Sequence, residues 1–373
     1  MNMTNKHAKY ALIALFLALL YLPVPLSAAF IDDRNGQDQE NRTLTQRPVL
    51  SIDTIGAFPQ AYEAYYRDHQ PFRAQLIFTR ALLSKTLYDR DVSGKVLFGR
   101  NGWLYYGDTG DGMPIADYRG EMQFSEQELR KIASDLMKTS SALKDIGCDF
   151  VLFIAPNKSR VYSEYMPDRY GAPAESYAAL RLVRYLRRHS TIKVVYPYEE
   201  LMQAKRDFAD IDIYYPRDTH WNYVGSYIGT RALMRQLDVE LPALTPEMIR
   251  KPEAARTGDL SILTHLENRL PKDIDYVVTN PDGSAFTGPM LPEQARKRRV
   301  YLYRDSFGEY MEDYLFTCFS REDSAVSVLN VDEALIDELR PDVFILESVE
   351  RYLRMRLQAG PLYTAPDKRR AKP

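Results

Sequence analysis

The chain predicts an α/β fold with a mostly parallel sheet, on three observations. From Phe124 onward, helix-like and strand-like segments alternate. Several strand-like segments are short unbroken apolar runs, such as Phe150 to Ala155, as expected for strands buried on both faces. Two stretches rich in reactive side chains, Arg217-Asp218-Thr219-His220-Trp221-Asn222 and Arg304-Asp305-Ser306-Phe307-Gly308, each follow such a segment and precede a helical pattern.

The elements follow in order. Lys6 and Lys9 precede an uncharged stretch from Tyr10 to Phe30, with an apolar run from Ala11 to Leu22. Pro23, Pro25 and Ser27-Ala28-Ala29 follow. The stretch reads either as an uncleaved single-span anchor with its positive end inside or as a cleaved signal segment, and both export the rest of the chain. Residues 31–56 are polar and irregular, an extended lead-in. Phe58, Tyr62, Tyr65 and Tyr66 step as a helix that Pro71 ends, and a second helix runs from about Arg73 to Tyr88. Val96-Leu97-Phe98 and Trp103-Leu104-Tyr105-Tyr106 flank Asn101-Gly102, a hairpin signal.

Ser125 with Glu128 forms a capping box that opens a helix to about Ile146. Strands are expected at Phe150–Ala155, Ile192–Tyr196, Ile211–Tyr215, Val300–Tyr303, Ala325–Leu329 and Asp342–Glu347. Helices are expected at Glu175–His189, Tyr198–Arg206, Tyr223–Leu237, Phe307–Phe316 and Asp332–Leu339. Residues 240–297, rich in Pro, Gly and charge, read as an insertion or flap. The organisation expected is an N-terminal segment over 1–30, a lead-in with a helical pair and hairpin over 31–123, the α/β domain over 124–360 and a polar tail over 361–373.

Composition narrows the function. A net charge of −2 and a pI of about 6.3 give no basic field for nucleic acid. The two cysteines, Cys148 and Cys318, sit near apolar runs and read as buried free thiols; CxxC metal spacing is absent. Asp and His are also metal ligands, but no third or fourth partner stands at matched spacing, so no metal is expected. No cofactor is expected either.

The chemistry rests on Asp218, His220 and Ser306. A hydroxyl is a poor nucleophile at neutral pH and needs a base in reach and an acid to orient that base. A carboxylate two residues before a His in a loop can reach its Nδ1 and set its tautomer. Ser306, at a strand-to-helix turn, would be presented at the carboxyl edge of the sheet, where helix-start N–H groups can face an oxyanion. The plainer alternative is that Asp305 or Ser306 only caps the helix. Among possible oxyanion or substrate groups, Asn157 and Lys158 stand in the loop after Phe150–Ala155, where the alternatives are a turn residue and a solvated cation. Asn222 is either a donor or a helix-start residue. Tyr310 lines the site or packs in the core.

At these residues the sequence resembles the SGNH-like O-acetyltransferases of bacterial exopolysaccharides, the alginate O-acetyltransferase group of AlgJ/AlgX type. The likeness runs through Glu40-Asn41-Arg42, Asp68-His69-Gln70-Pro71-Phe72-Arg73, Gly99-Arg100-Asn101-Gly102-Trp103-Leu104-Tyr105, Pro156-Asn157-Lys158, Asp218-Thr219-His220-Trp221-Asn222, Asp305-Ser306-Phe307 and Glu350-Arg351. It implies a three-layer α/β/α SGNH-hydrolase-like domain with Ser306 as nucleophile, His220 as its base and Asp218 as the orienting acid. Ordinary SGNH hydrolases place the serine first in the chain; here, as in the resembled group, the order is permuted. Arg304 stands where a Gly is common, so its side chain is a candidate to hold a carbonyl or carboxylate. The resemblance further implies a polysaccharide acceptor, a multi-pass membrane-bound O-acyltransferase as acetyl-donor partner, and an extracytoplasmic domain held at the inner membrane by its N-terminal segment. Two rivals remain: an O-acetyl esterase using the same triad, and a non-catalytic polysaccharide-binding or secretion-complex subunit.

Overall fold

The computed structural model describes residues 3–21, 45–68, 73–108 and 112–364. Pro23 to Ala29, Glu40-Asn41-Arg42, His69-Gln70-Pro71-Phe72 and the tail from Asp367 lie outside the described residues. The chain divides into two compact units, residues 1–83 and 84–373.

The first unit holds helices Met3–Tyr21 and Phe58–Asp68 and most of Arg73–Tyr88. Asp68 closes the second of these on the preceding chain, accepting from the Thr45 N–H at 2.9 Å and its hydroxyl at 2.7 Å. Among the described residues, no helix is long and apolar enough to cross a membrane. The uncharged stretch of the sequence continues beyond Tyr21 into residues outside the description.

The second unit opens with an antiparallel hairpin, β1 (Val96–Phe98) and β2 (Leu104–Tyr106). Its turn needs left-handed backbone, and Asn101 (φ 55°) and Gly102 (φ 76°) supply it. The main sheet has five strands, all parallel. They are β3 (Asp149–Ala155), β4 (Lys193–Val195), β9 (Val300–Tyr303), β10 (Ala325–Ser327) and β11 (Val343–Val349), in the order β10-β9-β11-β3-β4.

Alternation within the unbroken apolar strands divides the core in two. Val151, Phe153 and Ala155 of β3 and Ile345 of β11 pack with Trp221, Val224, Phe307, Met311 and Leu315. Phe150, Leu152 and Ile154 of β3 and Phe344 and Leu346 of β11 pack with Leu129, Ile132, Leu136, Leu182 and Leu186. Both faces of the sheet are therefore covered by helices, which makes the fold a three-layer α/β/α sandwich. Cys148 and Cys318 are buried free thiols.

One expected element is absent. Ile211–Tyr215 is not a strand of the sheet: it turns back on itself. Tyr215 N donates to the His220 carbonyl at 3.1 Å and Asn222 N to the Ile213 carbonyl at 3.2 Å, with a single bridge between Tyr214 and Trp221. Its backbone groups are satisfied across the turn, so nothing drives them to a sheet edge. The segment 240–297 carries two short antiparallel ladders. β5 (Ile249–Arg250) pairs with β8 (Val277–Val278), and β6 (Ala255–Arg256) with β7 (Asp273–Ile274).

The capping box at Ser125 is complete, with Ser125 Oγ accepting from Glu128 N at 3.2 Å and Glu128 accepting from Ser125 N at 2.7 Å. Ser125→Ala is expected to lower unfolding free energy by about 1 kcal/mol, read as a lower urea midpoint at unchanged slope.

Candidate active site

Ser306 is the first residue of the helix Ser306–Cys318, directly beyond β9. The capping duty falls on its neighbour. One oxygen of Asp305 accepts from Phe307 N at 2.9 Å and the other from Val349 N at 2.8 Å, at the end of β11. That leaves the Ser306 hydroxyl uncommitted to the backbone and exposed at the start of the helix, where N–H groups have no intrahelical acceptor. Asp305 N in turn donates to the buried Glu347 at 2.9 Å. Burial, with the Asp305 charge beside it, pushes the Glu347 carboxyl well up from its ordinary range.

His220 comes from the turn, not from a strand exit as the sequence suggested. Its Nε2 is 2.7 Å from Ser306 Oγ, and its Nδ1 is 2.7 Å from Asp218 Oδ1. The ring lies against Phe307 (4.9 Å between centroids) and Tyr310 (5.7 Å). Trp221, fully buried, donates its indole N–H to the Phe307 carbonyl at 3.0 Å and so ties the turn to the serine helix. Asp218 is also fully buried, and burial opposes its charge. The hydrogen bond to His220, with the His220 and Arg256 charges, outweighs that cost and holds the carboxyl far below its usual range.

The other candidates have defined places. Lys158, buried among Trp103 and Tyr105, donates to the carbonyls of Tyr215 (3.1 Å), Pro216 (3.2 Å) and Asp218. Its three N–H groups are thus spent on the turn, and burial lowers its pKa to about 8. Asn222 caps the helix Tyr223–Gln236, accepting from Val224 N and Gly225 N, and donates to the Asp212 carbonyl. Arg304 bonds Glu312 at 2.6 Å and the Asp305 carbonyl at 3.1 Å, along the start of the serine helix. Tyr310 takes a hydrogen bond from Arg256, and burial pushes its hydroxyl up to about 12. Asn157 is 3% exposed, and neither its amide oxygen nor its amide nitrogen has a partner. It lines a small cleft with Tyr105, Tyr106, Thr219 and Arg351.

Sequence reasoning missed three residues here. Arg256 binds the second oxygen of Asp218 at 3.0 Å, as does Asp259 N at 3.0 Å. Arg351, beyond β11, stacks 5.3 Å from the Phe307 ring, and its buried Nε has no partner. Arg256 and Asp259 come from the apparent flap, whose sequence carries no periodicity that marks a site. Gly258 between them admits close approach: a Cβ there would meet the Arg217 carbonyl oxygen at 2.1 Å. Arg351 was visible only within the Glu350-Arg351 likeness. Ligand atoms of Asp218, His220 and Asp259 lie within 4.8 Å of one another, the spacing of a metal site. Arg256 already pairs with Asp218 Oδ2 at 3.0 Å.

The fold and this hydrogen-bonded Ser-His-Asp line define an SGNH hydrolase-like protein with the serine last in the chain. The chain belongs to the family described as "SGNH hydrolase-like domain, acetyltransferase AlgX", whose model matches residues 96–334. No curated protein matches it by sequence. Among solved structures, it is similar to the O-acetyltransferase domain of Pseudomonas putida AlgJ, at 20% identity and TM-score 0.46 over 70% of this chain and 92% of that one. It is also similar to Bacillus cereus PatB1, at 14% identity and TM-score 0.48 over 71% and 97%. A third is Pseudomonas aeruginosa AlgX, at 14% identity and TM-score 0.45 over 72% and 65%.

Lys158→Met tests the strut beneath the turn. Removing the three bonds leaves the Tyr215 and Asp218 carbonyls without this donor, while Pro216 keeps Leu104 N at 2.8 Å, with an expected loss of about 2 kcal/mol in denaturant unfolding. Turnover of an activated acetyl ester should fall about tenfold or more, as a misplaced base predicts. Unchanged turnover would mean that the turn holds itself.

Proposed function

We propose that the chain is an O-acetyltransferase that moves acetyl groups onto hydroxyls of an exported polysaccharide through an acyl-enzyme on Ser306. The observation that carries this reading is the continuous line Ser306 Oγ–His220 Nε2 and His220 Nδ1–Asp218, each step 2.7 Å. Membership of the acetyltransferase family supports the acyl group and the reaction class.

In the first half-reaction, His220 Nε2 takes the Ser306 proton as Oγ bonds to the acetyl carbonyl carbon. The carbonyl electron pair moves onto its oxygen. The tetrahedral intermediate then collapses, and the His220 proton goes to the departing donor group. In the second half, His220 takes the proton of a sugar hydroxyl as that oxygen attacks the acetyl-serine. Collapse releases the ester, and the proton returns to Ser306. The Ser306 N–H at the helix start suits the oxyanion, and the unpartnered amide of Asn157 is the candidate second donor. Asp218, held ionised, keeps Nδ1 protonated and supports the imidazolium.

The proposed setting is extracytoplasmic, with the N-terminal segment holding the domain at the inner membrane beside a multi-pass membrane-bound O-acyltransferase that supplies acetyl groups. No acetyl-CoA pool is expected in that compartment, which is why a donor partner is part of the proposal.

The test gives purified protein an activated acetyl ester with and without oligosaccharide. Acetylated sugar should form, and Ser306→Ala should cut ester turnover on the order of 10³-fold. Ester loss independent of sugar would make the protein an esterase. Unchanged acetylation by folded Ser306→Ala would make it a non-catalytic subunit.

The pH profile offers a second check. Asp218 has a depressed pKa, so its contribution to stability is present above the ordinary carboxylate range and is lost only as pH falls through the depressed value. Asp218 should therefore stay ionised through the acid limb of kcat/KM, with its own protonation beginning only below the ordinary carboxylate range. An Asp218 carboxyl seen by NMR to titrate at or above that range would overturn this.

A further inference from the structure

We infer that Asp259 is a second carboxylate for His220, a positioning residue that acts with Asp218 on the Nδ1 side of the ring. The inference rests on the reading of His220 as the base, and it goes beyond the three residues that make the triad.

Asp259 stands at the start of the helix Asp259–Leu263. Its Oδ1 accepts from Thr219 N at 2.7 Å, and its Oδ2 accepts from Thr219 Oγ1 at 2.6 Å. The same Oδ2 lies 3.7 Å from His220 Nδ1. Thr219 Oγ1 lies 3.1 Å from Nδ1. An ionised carboxylate only accepts, so the Thr219 hydroxyl must point its hydrogen at Asp259. Its lone pair then faces Nδ1. Asp259 thus sets the polarity of a second acceptor beside Asp218, and both favour the tautomer with its proton on Nδ1.

Charge gives the reason for a second acid. The groups packed around the ring come from several elements. Asp218 and Thr219 come from the turn, Asp259 and Arg256 from the inserted segment, and Ser306, Phe307 and Tyr310 from the serine helix. Lys158 reaches the Asp218 carbonyl from the short helix Lys158–Val161 after β3. Arg256 sits on Asp218 Oδ2 at 3.0 Å and is held there by Tyr310. A guanidinium bonded to the orienting carboxylate cancels much of the field that an imidazolium needs. With Asp259 ionised, the two carboxylates and one guanidinium leave one net negative charge beside the ring; without it they leave none. Partial burial (the side chain is 39% exposed) and the neighbouring Asp218 charge push the Asp259 carboxyl up from its usual value. The two acids repel each other, and a positive ring between them relieves that repulsion.

Asp259→Asn separates charge from shape in the full-length protein, because the amide oxygen can still accept from Thr219 N. The expected result is a fall of about tenfold in kcat/KM for an activated acetyl ester, with the acid limb moved down by about one pH unit. Loss of a nearby anion destabilises the imidazolium, hence the downward direction. Asp218→Asn should lose more, and the double variant should lose less than the product of the two, since both act on one ring. An unmoved limb with equal losses in Asp259→Asn and Asp259→Ala would make Asp259 a loop brace and overturn the inference. NMR titration of His220, assigned with His220→Gln, reads the same shift without turnover. If no Ser306-dependent turnover exists, the function reading fails, while the titration still decides the role of Asp259.

Discussion

Three carbonyl oxygens on one buried ammonium hold the arrangement together. The turn that carries Asp218 and His220 has no sheet strand behind it, so hydrogen bonds along a ladder cannot position it. Lys158, beyond β3, binds the Tyr215, Pro216 and Asp218 carbonyls instead. Lys158 lies just past β3, an interior strand of the parallel sheet two places from β9, beyond which Ser306 starts its helix. The lysine thereby converts the rigidity of the sheet into the placement of a turn outside it. Trp221 completes the link through the Phe307 carbonyl.

The same edge of the sheet concentrates buried charge, which is costly unless each group is paired. Arg160, 3% exposed, lies between Asp117 at 3.4 Å and Glu350 at 3.8 Å and stacks on Tyr177. Glu350 accepts from Asn157 N at 2.8 Å, and burial raises its pKa to about 7. Asp305 ties the serine helix to β11, and Glu347 ties Asp305. These groups hold the strand exits at fixed distances from one another. Side chains that must meet within 3 Å need such preorganisation. Asn157 stands among them with both polar atoms of its amide unpartnered.

Much of the fold was legible from local pattern. The Ser125–Glu128 box, the Asn101-Gly102 turn and the apolar runs of β3 and β11 are signals whose physics is complete within a few residues. The order of Asp218, His220 and Ser306 was legible too, as was the helix start at Ser306. Ile211–Tyr215 was not: its apolar alternation suits a strand, but Tyr215 and Asn222 find backbone partners across their own turn. Arg256 and Asp259 were invisible because β6 and β7 are two residues each and leave no periodic trace.

The sequence by itself pointed to the α/β class and the family, and singled out Ser306, His220 and Asp218 as candidates, because apolar periodicity, caps and short motifs are local quantities. Tertiary structure alone decided how those residues meet. Lys158, Asn222 and Arg304 became braces because their donors met carbonyls, helix starts or carboxylates supplied by distant parts of the chain. The charge around His220 was also settled there, since Coulomb energies depend on distances of 3 to 4 Å between residues some 40 positions apart, Arg256 against Asp218 and Asp259 against His220.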